Sequence, residues 1–274
     1  IDAFTYFNEK ELVELRLKYL DPIVDYFVII ESNITFTGKD KEWNFPEVMD
    51  KNLKKFKHKI KYHQLKINLK EIKNEEAWII DNIKGDDFWR IENFQRNHIK
   101  NVCKDFSDED ILIISDLDEI PSIKKLKLIL NSDFKKISPI ALEQHLFHLN
   151  SKYLRLESWR GSIVTTIKDC NDNSPQKFRR LRNRISHFTD AGWSFSSFGG
   201  YERVKKKIES YAHSEHNNEK FKSQEHIENC QRTGEDLFHR NVKSRKVEKK
   251  FFPADLLKLM EENQVLSFFL LFLN

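Results

Sequence analysis

The apolar run Ile-Leu-Ile-Ile at positions 111–114 passes, with one serine between, into Asp116-Leu-Asp118-Glu119 and is stopped by Pro121. Four consecutive apolar residues without polar alternation predict a strand covered on both faces, as in a parallel sheet layered between helices. In such sheets the C-terminal strand ends open onto the ligand crevice, so the three carboxylates are expected at its edge. Gathered there, they repel one another and lose hydration unless a positive group sits among them. A hard divalent cation with bound phosphates, Mn2+ or Mg2+, meets that demand. The spacing Asp116-x-Asp118 lets one carboxylate face the cation and the other a ribose hydroxyl or a water. The bland alternative is a solvated turn that caps a helix starting near Ser122. Phosphohydrolases of the haloacid dehalogenase type also carry an Asp-x-Asp after a strand. They place it on the first strand and follow it with Thr or Val, where this chain has Ile120.

The rest of the first half alternates strand and helix patterns. Residues 3–7 read as an aromatic strand, and Asn8 with Glu11 three residues on reads as a capping box for a helix bearing Leu12, Leu15, Leu17 and Tyr19. Residues 24–30 and 60–65 read as strands, and 89–103 as a helix with Ile91, Phe94, His98, Ile99 and Val102 on one side. Strands alternating with helices predict an α/β fold with a mostly parallel sheet. In the second half, residues 140–149, 153–156, 163–167, 178–181 and 186–188 read as short strands of a mixed or antiparallel extension. Helices return from Tyr201, with Val204, Ile208 and Tyr211 on one face. With only 7 Gly and 6 Pro and no linker near the middle, one domain over 1–274 is expected.

Hydrophobic residues make up 39% of the chain, including 22 Phe, enough for a sizeable core. The 47 basic and 43 acidic side chains are interspersed, which argues against nucleic acid as a partner. Cys103, Cys170 and Cys230 are odd in number and far apart, as expected of reduced thiols in a cytoplasmic protein. No apolar run approaches the roughly 20 residues of a membrane span. The apolar stretch 265–273 is expected to pack on the body, meet a partner or touch a membrane surface. The basic run Lys177-Phe-Arg-Arg-Leu-Arg-Asn-Arg184 is expected along one strand face. Such a face is either solvated or binds an anionic acceptor. The non-enzymatic alternative is a module that holds an anionic polymer or nucleic acid there.

Several segments in order along the chain resemble glycosyltransferase family 17. They are Asp2-Ala-Phe-Thr-Tyr-Phe-Asn-Glu9 with Glu14-Leu-Arg16, Val24-Asp-Tyr-Phe-Val-Ile-Ile-Glu-Ser32, Thr35-Phe-Thr-Gly38, and Phe94-Gln-Arg96. Ser115-Asp-Leu-Asp-Glu-Ile-Pro121, His187-Phe-Thr-Asp-Ala-Gly-Trp193 and Arg232-Thr-Gly234 continue the series. The resemblance implies a GT-A fold, Rossmann-like, whose Asp-x-Asp binds a divalent cation and a nucleotide sugar. It also implies inverting transfer from a UDP-sugar, with UDP-GlcNAc the family's donor, to a carbohydrate: a glycan, a lipopolysaccharide or an exopolysaccharide. Residues 1–121 would then hold the donor and 122–274 the acceptor. The family's Golgi members carry a membrane anchor, and here a soluble form is expected.

On this footing Asp118, helped by Asp116, would hold the cation, with His187, His213 or His239 as a further ligand. Glu31, at the end of a predicted inner strand, is expected to reach the nucleoside, beside Ser32. Arg96 would pair with the diphosphate or with the acidic pair itself, and Arg16 would brace Glu31 or touch substrate. In GT-A enzymes the base lies well C-terminal to the Asp-x-Asp, which makes Asp190, Glu215 and Asp236 the candidates. Trp159, Trp193 and Phe198 are candidates for stacking on sugar rings, with core packing as the default.

Overall fold

The computed structural model describes residues 1–70, 72, 79–80, 83–84 and 87–262. From the N-terminus, β1 (Asp2–Tyr6) leads into α1 (Lys10–Leu20) and β2 (Phe27–Ser32) into α2 (Phe45–Lys51). β3 (Ile60–Leu65), the short pair β4 (Ile79–Ile80) and β5 (Ile83–Lys84), and α3 (Asp87–Cys103) precede β6 (Ile111–Asp116). β1 lies in parallel between β2 and β6, and β2 is also parallel to β3. Both faces of this sheet are covered, as the unbroken apolar runs require. Phe4, Ile29 and Ile113 enter one core cluster with Leu12, Val13 and Leu15 of α1. Their neighbours Ala3, Val28, Ile30, Leu112 and Ile114 enter a second cluster with Ile91 and Ile99 of α3. Each buried Val, Leu, Ile or Phe among them contributes about 1.5–3 kcal/mol.

The expected capping box at Asn8 is not formed. The helix begins after Glu9, and no side chain caps it. Glu9 instead folds back, its Oε2 accepting the N–H groups of Phe7 and Asn8 at 3.3 and 3.0 Å.

Beyond β6 come β7 (Glu119–Pro121), α4 (Ile123–Leu130), α5 (Phe134–Ile137), β8 (Ile140–His148), β9 (Tyr153–Arg155) and β10 (Trp159–Thr166). β10 runs antiparallel to both β6 and β8, so one sheet, ordered β13-β9-β8-β10-β6-β1-β2-β3, crosses both halves. Its register slips between Arg160 and Ile163, around Gly161. A Cβ on that glycine would stand 2.5 Å from the Glu119 carboxyl carbon. The close approach of backbone to Glu119 is what requires glycine here.

After α6 (Ile167–Asp172), residues 178–181 are not the strand expected from their apolar–basic alternation; they close α7 (Pro175–Leu181). Ser174 caps this helix, accepting the Lys177 N–H, and Pro175 takes its first position. β11 (His187–Phe188) and β12 (Gly192–Ser196) follow, β12 parallel to β8 and antiparallel to β7. α8 (Tyr201–Ser210), α9 (Glu219–Lys222), α10 (Gln224–Thr233), β13 (Ser244–Lys246) and α11 (Ala254–Glu262) complete the chain. Val204 and Ile208 of α8 pack with Ile227 and Cys230 of α10, whereas Tyr211 lies just past the end of α8. The result is an α/β fold, its parallel half extended by antiparallel strands. Among the described residues no helix is long and apolar enough to cross a membrane, and the stretch 265–273 lies outside them.

Candidate active site

The parallel register pairs Thr5 with Asp116 and Tyr6 with Glu31, so β1, β2 and β6 end together. A cleft of about 490 Å³ opens there, lined from these ends by Thr5, Tyr6, Ser32 and Asp116 and continued by Leu117, Asp118 and Glu119. The turn that carries the acids is held by its backbone. Arg16, fully buried on α1, donates to the carbonyls of Asp116 and Leu117 at 3.2 Å and of Glu119 at 2.6 Å. Its other donors go to both oxygens of Asp2 and to Ser115. Arg16 therefore braces neither Glu31 nor a substrate; it fixes the shape of the acidic turn.

The positive groups among the acids are side chains. Asp116 Oδ1 accepts from Arg96 at 3.0 Å and Oδ2 from Arg179 at 2.6 Å. Burial alone would raise this carboxyl's pKa, but the two guanidiniums outweigh it and hold Asp116 well below the usual carboxylate range. Arg96 also pairs with Glu92 and with Gln176, while its Nε is buried without a partner among the described residues. Glu119 is buried and accepts from Arg179, from the Trp159 indole N–H at 3.1 Å and from the Asp116 backbone at 3.0 Å. Burial, with Asp116 and Asp118 nearby, pushes Glu119 up against the pull of Arg179. Arg179 reaches the Gly161 carbonyl as well. Asp118 differs: Lys207 of α8 meets its Oδ2 at 3.0 Å, while Oδ1 has no partner among the described residues. Of the carboxylate oxygens on the turn, that one is open to a hard cation.

The other expected site residues divide. Ser32 lines the cleft, its hydroxyl donating to the Ile34 carbonyl at 2.6 Å. Glu31 does not line it. Its carboxylate turns to the start of α2, accepting from the backbone of Asn44 and Phe45, from Tyr62 and from Lys41. A buried anion at a helix N-terminus with four donors is satisfied without a ligand. His213 lines the cleft with His216, and Glu215 accepts from His213 at 2.7 Å. The potential ligand atoms of these three lie within 4.8 Å of one another. Asp190 and His187 stand apart from the acidic turn. Asp190 occupies a left-handed turn (φ 50°), is 69% exposed and faces His145 at 3.4 Å, and His187 lies beside Arg160 and Glu143. Asp236 is buried and saturated by Arg155 and Arg240, which overcome burial and hold it well below the usual range. His239 packs on Phe221 and His226, away from the cleft. Trp159 lines the cleft, whereas Trp193 and Phe198 are core, against Tyr19 and Phe195.

The basic run 177–184 presents no charged strand face. Helical spacing turns Arg179 and Arg182 inward to line the cleft and leaves Lys177 and Arg180 outside. The alternative of a nucleic-acid surface there loses its geometry. Sequence patterns did not single out Lys207, Arg155, Glu157, Tyr6 or Tyr211, all of which line the cleft. The hydroxyls of Tyr6 and Tyr211 are buried without a partner among the described residues, and burial raises both phenols, so each remains a donor. Beside them His148 is pushed down to about 3 by burial and by Arg155 and Arg240, and is neutral.

Over residues 1–245 the chain matches the family described as glycosyltransferase family 17. It is 28% identical over 123 residues to the human and rat β-1,4-mannosyl-glycoprotein 4-β-N-acetylglucosaminyltransferases. The match takes in 44% of this chain and 22% and 21% of those proteins, about a fifth of their length. Among solved structures, the galactosyltransferase LgtC in complex with donor and acceptor sugar analogs overlaps 67% of this chain and 64% of its own. That overlap has a TM-score of 0.38 and 13% identity.

Proposed function

Because the chain belongs to glycosyltransferase family 17, we propose that it moves a sugar from a nucleotide-sugar donor to a hydroxyl of a carbohydrate acceptor, with inversion at the anomeric carbon. Kinship with the named relatives makes UDP-GlcNAc the donor to test first. The observation that carries this proposal is the acidic turn, braced at its backbone by Arg16 and facing a cleft at the ends of parallel strands. A divalent cation, Mn2+ or Mg2+, fits at Asp118, with His213 on the same cleft as a candidate second ligand. When bound it would neutralise charge on the departing diphosphate. Asp116, held by two arginines, serves that site by fixing the turn's electrostatics rather than by a free oxygen. Tyr6 and Tyr211 offer unspent hydroxyl donors to sugar hydroxyls.

An inverting transfer needs a carboxylate on the acceptor side with a lone pair to spare. Glu92, Asp116 and Glu119 are bound by arginines, Asp118 by Lys207, and Glu9 by two backbone N–H groups. Glu157, between β9 and β10, lines the cleft with no hydrogen-bonding partner among the described residues. It is proposed as the base: it takes the acceptor hydroxyl's proton as that oxygen bonds to the anomeric carbon. The bond from that carbon to the diphosphate breaks, and the leaving group keeps the electron pair. Glu215, bonded to His213, stands as the alternative base; Asp236 has no lone pair to give.

The test is a panel of UDP-sugars with Mn2+, scored for UDP release and for thermal stabilisation. A donor that binds the folded protein raises its melting temperature. One UDP-sugar is expected to stabilise and be cleaved, and D118N is expected to abolish cleavage. Indifference to every donor would defeat the proposal.

A further inference from the structure

Of the cations that line the cleft, Lys41, Arg96, Arg155, Arg179, Lys207 and Arg240 each hold a carboxylate. Arg182 holds none among the described residues. It follows the last residue of α7, its backbone N–H closing the helix on the Arg179 carbonyl. Its guanidinium lies over Trp159, 4.8 Å from the ring centroid, and among the described residues no side-chain acceptor meets any of its donors. Trp159 is itself fixed by its indole N–H to Glu119 of the acidic turn. A guanidinium carries five N–H donors in a planar fork. Packing on an aromatic face satisfies the flat side of that group but none of its edge. The nearby acids cannot serve, because Asp116 and Glu119 are already taken by Arg96 and Arg179.

We propose that Arg182 is a phosphate clamp: it receives the diphosphate of the nucleotide donor in its open fork and stays with that group as it leaves. The proposal rests on the transferase reading given above. Its geometry supplies the reason for phosphate. The fork is pre-oriented by Trp159, stands beside the turn that offers Asp118, and matches two oxygens of a tetrahedral anion at once. Burial and then Arg179 bring Arg182 down to about 10, so it remains charged at neutral pH. An approaching anion is thus drawn by a cation that pairs with no carboxylate among the described residues. The role the sequence suggested for Arg96 passes to Arg182, because the terminal nitrogens of Arg96 already meet Asp116, Glu92 and Gln176 and its Nε is buried.

The decisive experiment measures binding of inorganic pyrophosphate and of UDP by titration calorimetry to the wild type and to R182M, with thermal unfolding of each. Wild-type binding is expected, with R182M weaker by on the order of tenfold to a hundredfold for both ligands. Without ligand R182M is expected to melt no lower than the wild type, since the cation removed pairs with no carboxylate among the described residues. Its pyrophosphate-induced rise in melting temperature is expected to shrink. If R182M does not fold, R182Q carries the same comparison. Equal affinity of variant and wild type for pyrophosphate overturns the clamp while leaving the transferase reading intact. Failure of the wild type to bind either ligand, or to release UDP from any donor, overturns both.

Discussion

Lys207, on α8 of the C-terminal half, stands 3.0 Å from the Oδ2 of Asp118, on the turn that ends β6. The ammonium is where a divalent cation would be drawn; burial pulls its pKa down, and Asp118, with Glu9 and Asp116, more than offsets that and raises it. The acidic turn is thus neutralised from across the cleft, by an element of the other half.

A cation entering at Asp118 must therefore share that carboxylate with a like charge. K207M is expected to tighten Mn2+ binding on the order of tenfold, read by electron paramagnetic resonance titration without any substrate. Unchanged or weaker Mn2+ affinity in K207M would show that the two charges do not compete.

E157Q keeps the size and polarity of the side chain and removes its basicity. Turnover is expected to fall by about 10²–10⁴-fold, with UDP affinity and melting temperature unchanged. A loss below threefold, or an equal loss in UDP binding, would exclude Glu157 as the base and return attention to Glu215.

Removing Arg16 leaves the buried Asp2 carboxylate unpaired and three turn carbonyls without their donor. R16M is expected to cost about 3–5 kcal/mol in urea unfolding, the range for breaking one partner of a buried pair. A cost under 1 kcal/mol would mean that water or a neighbour replaces the guanidinium.

Asp236 supplies a pH test. Its folded-state pKa is depressed, chiefly by Arg240 and Arg155 against burial. Its contribution to stability is complete above the unfolded-state value of about 3.9 and is lost as pH falls from there through the lower folded value. D236N is expected to be less stable than the wild type at pH 7, and the gap is expected to close as pH drops below about 4. A gap that stays constant down to pH 2 would contradict the ion-pair account.

How much of this could be read from residues alone depended on whether local pattern and tertiary setting agreed. The acidic turn was legible because β6 is covered on both faces, and only an unbroken apolar run satisfies that. Residues 178–181 were misread because Phe-Arg-Arg-Leu suits either period, and the start signal Ser174-Pro175 lies outside it. Glu31 does end an inner strand, yet its carboxylate faces the α2 N-terminus, whose backbone donors a sequence does not display. Asp190 sits close in sequence to an aromatic Gly-Trp pair. But β12 carries that pair into the core, and the left-handed turn at Asp190 points away from the cleft. Lys207 and Arg182 were hidden for another reason: a cation acquires its meaning from the acid it faces or lacks, and those acids lie on distant elements.

Because Arg16 grips carbonyls and leaves the Asp118 side chain to Lys207, the loop's path is held without that carboxylate. Swapping Asp118 for Asn, Glu or Ser would leave the peptide trace in place. Any change in chemistry would then come from the swapped atoms and from the Lys207 ammonium they release. A second swap at Lys207 then separates the two contributions at the position where that matters most.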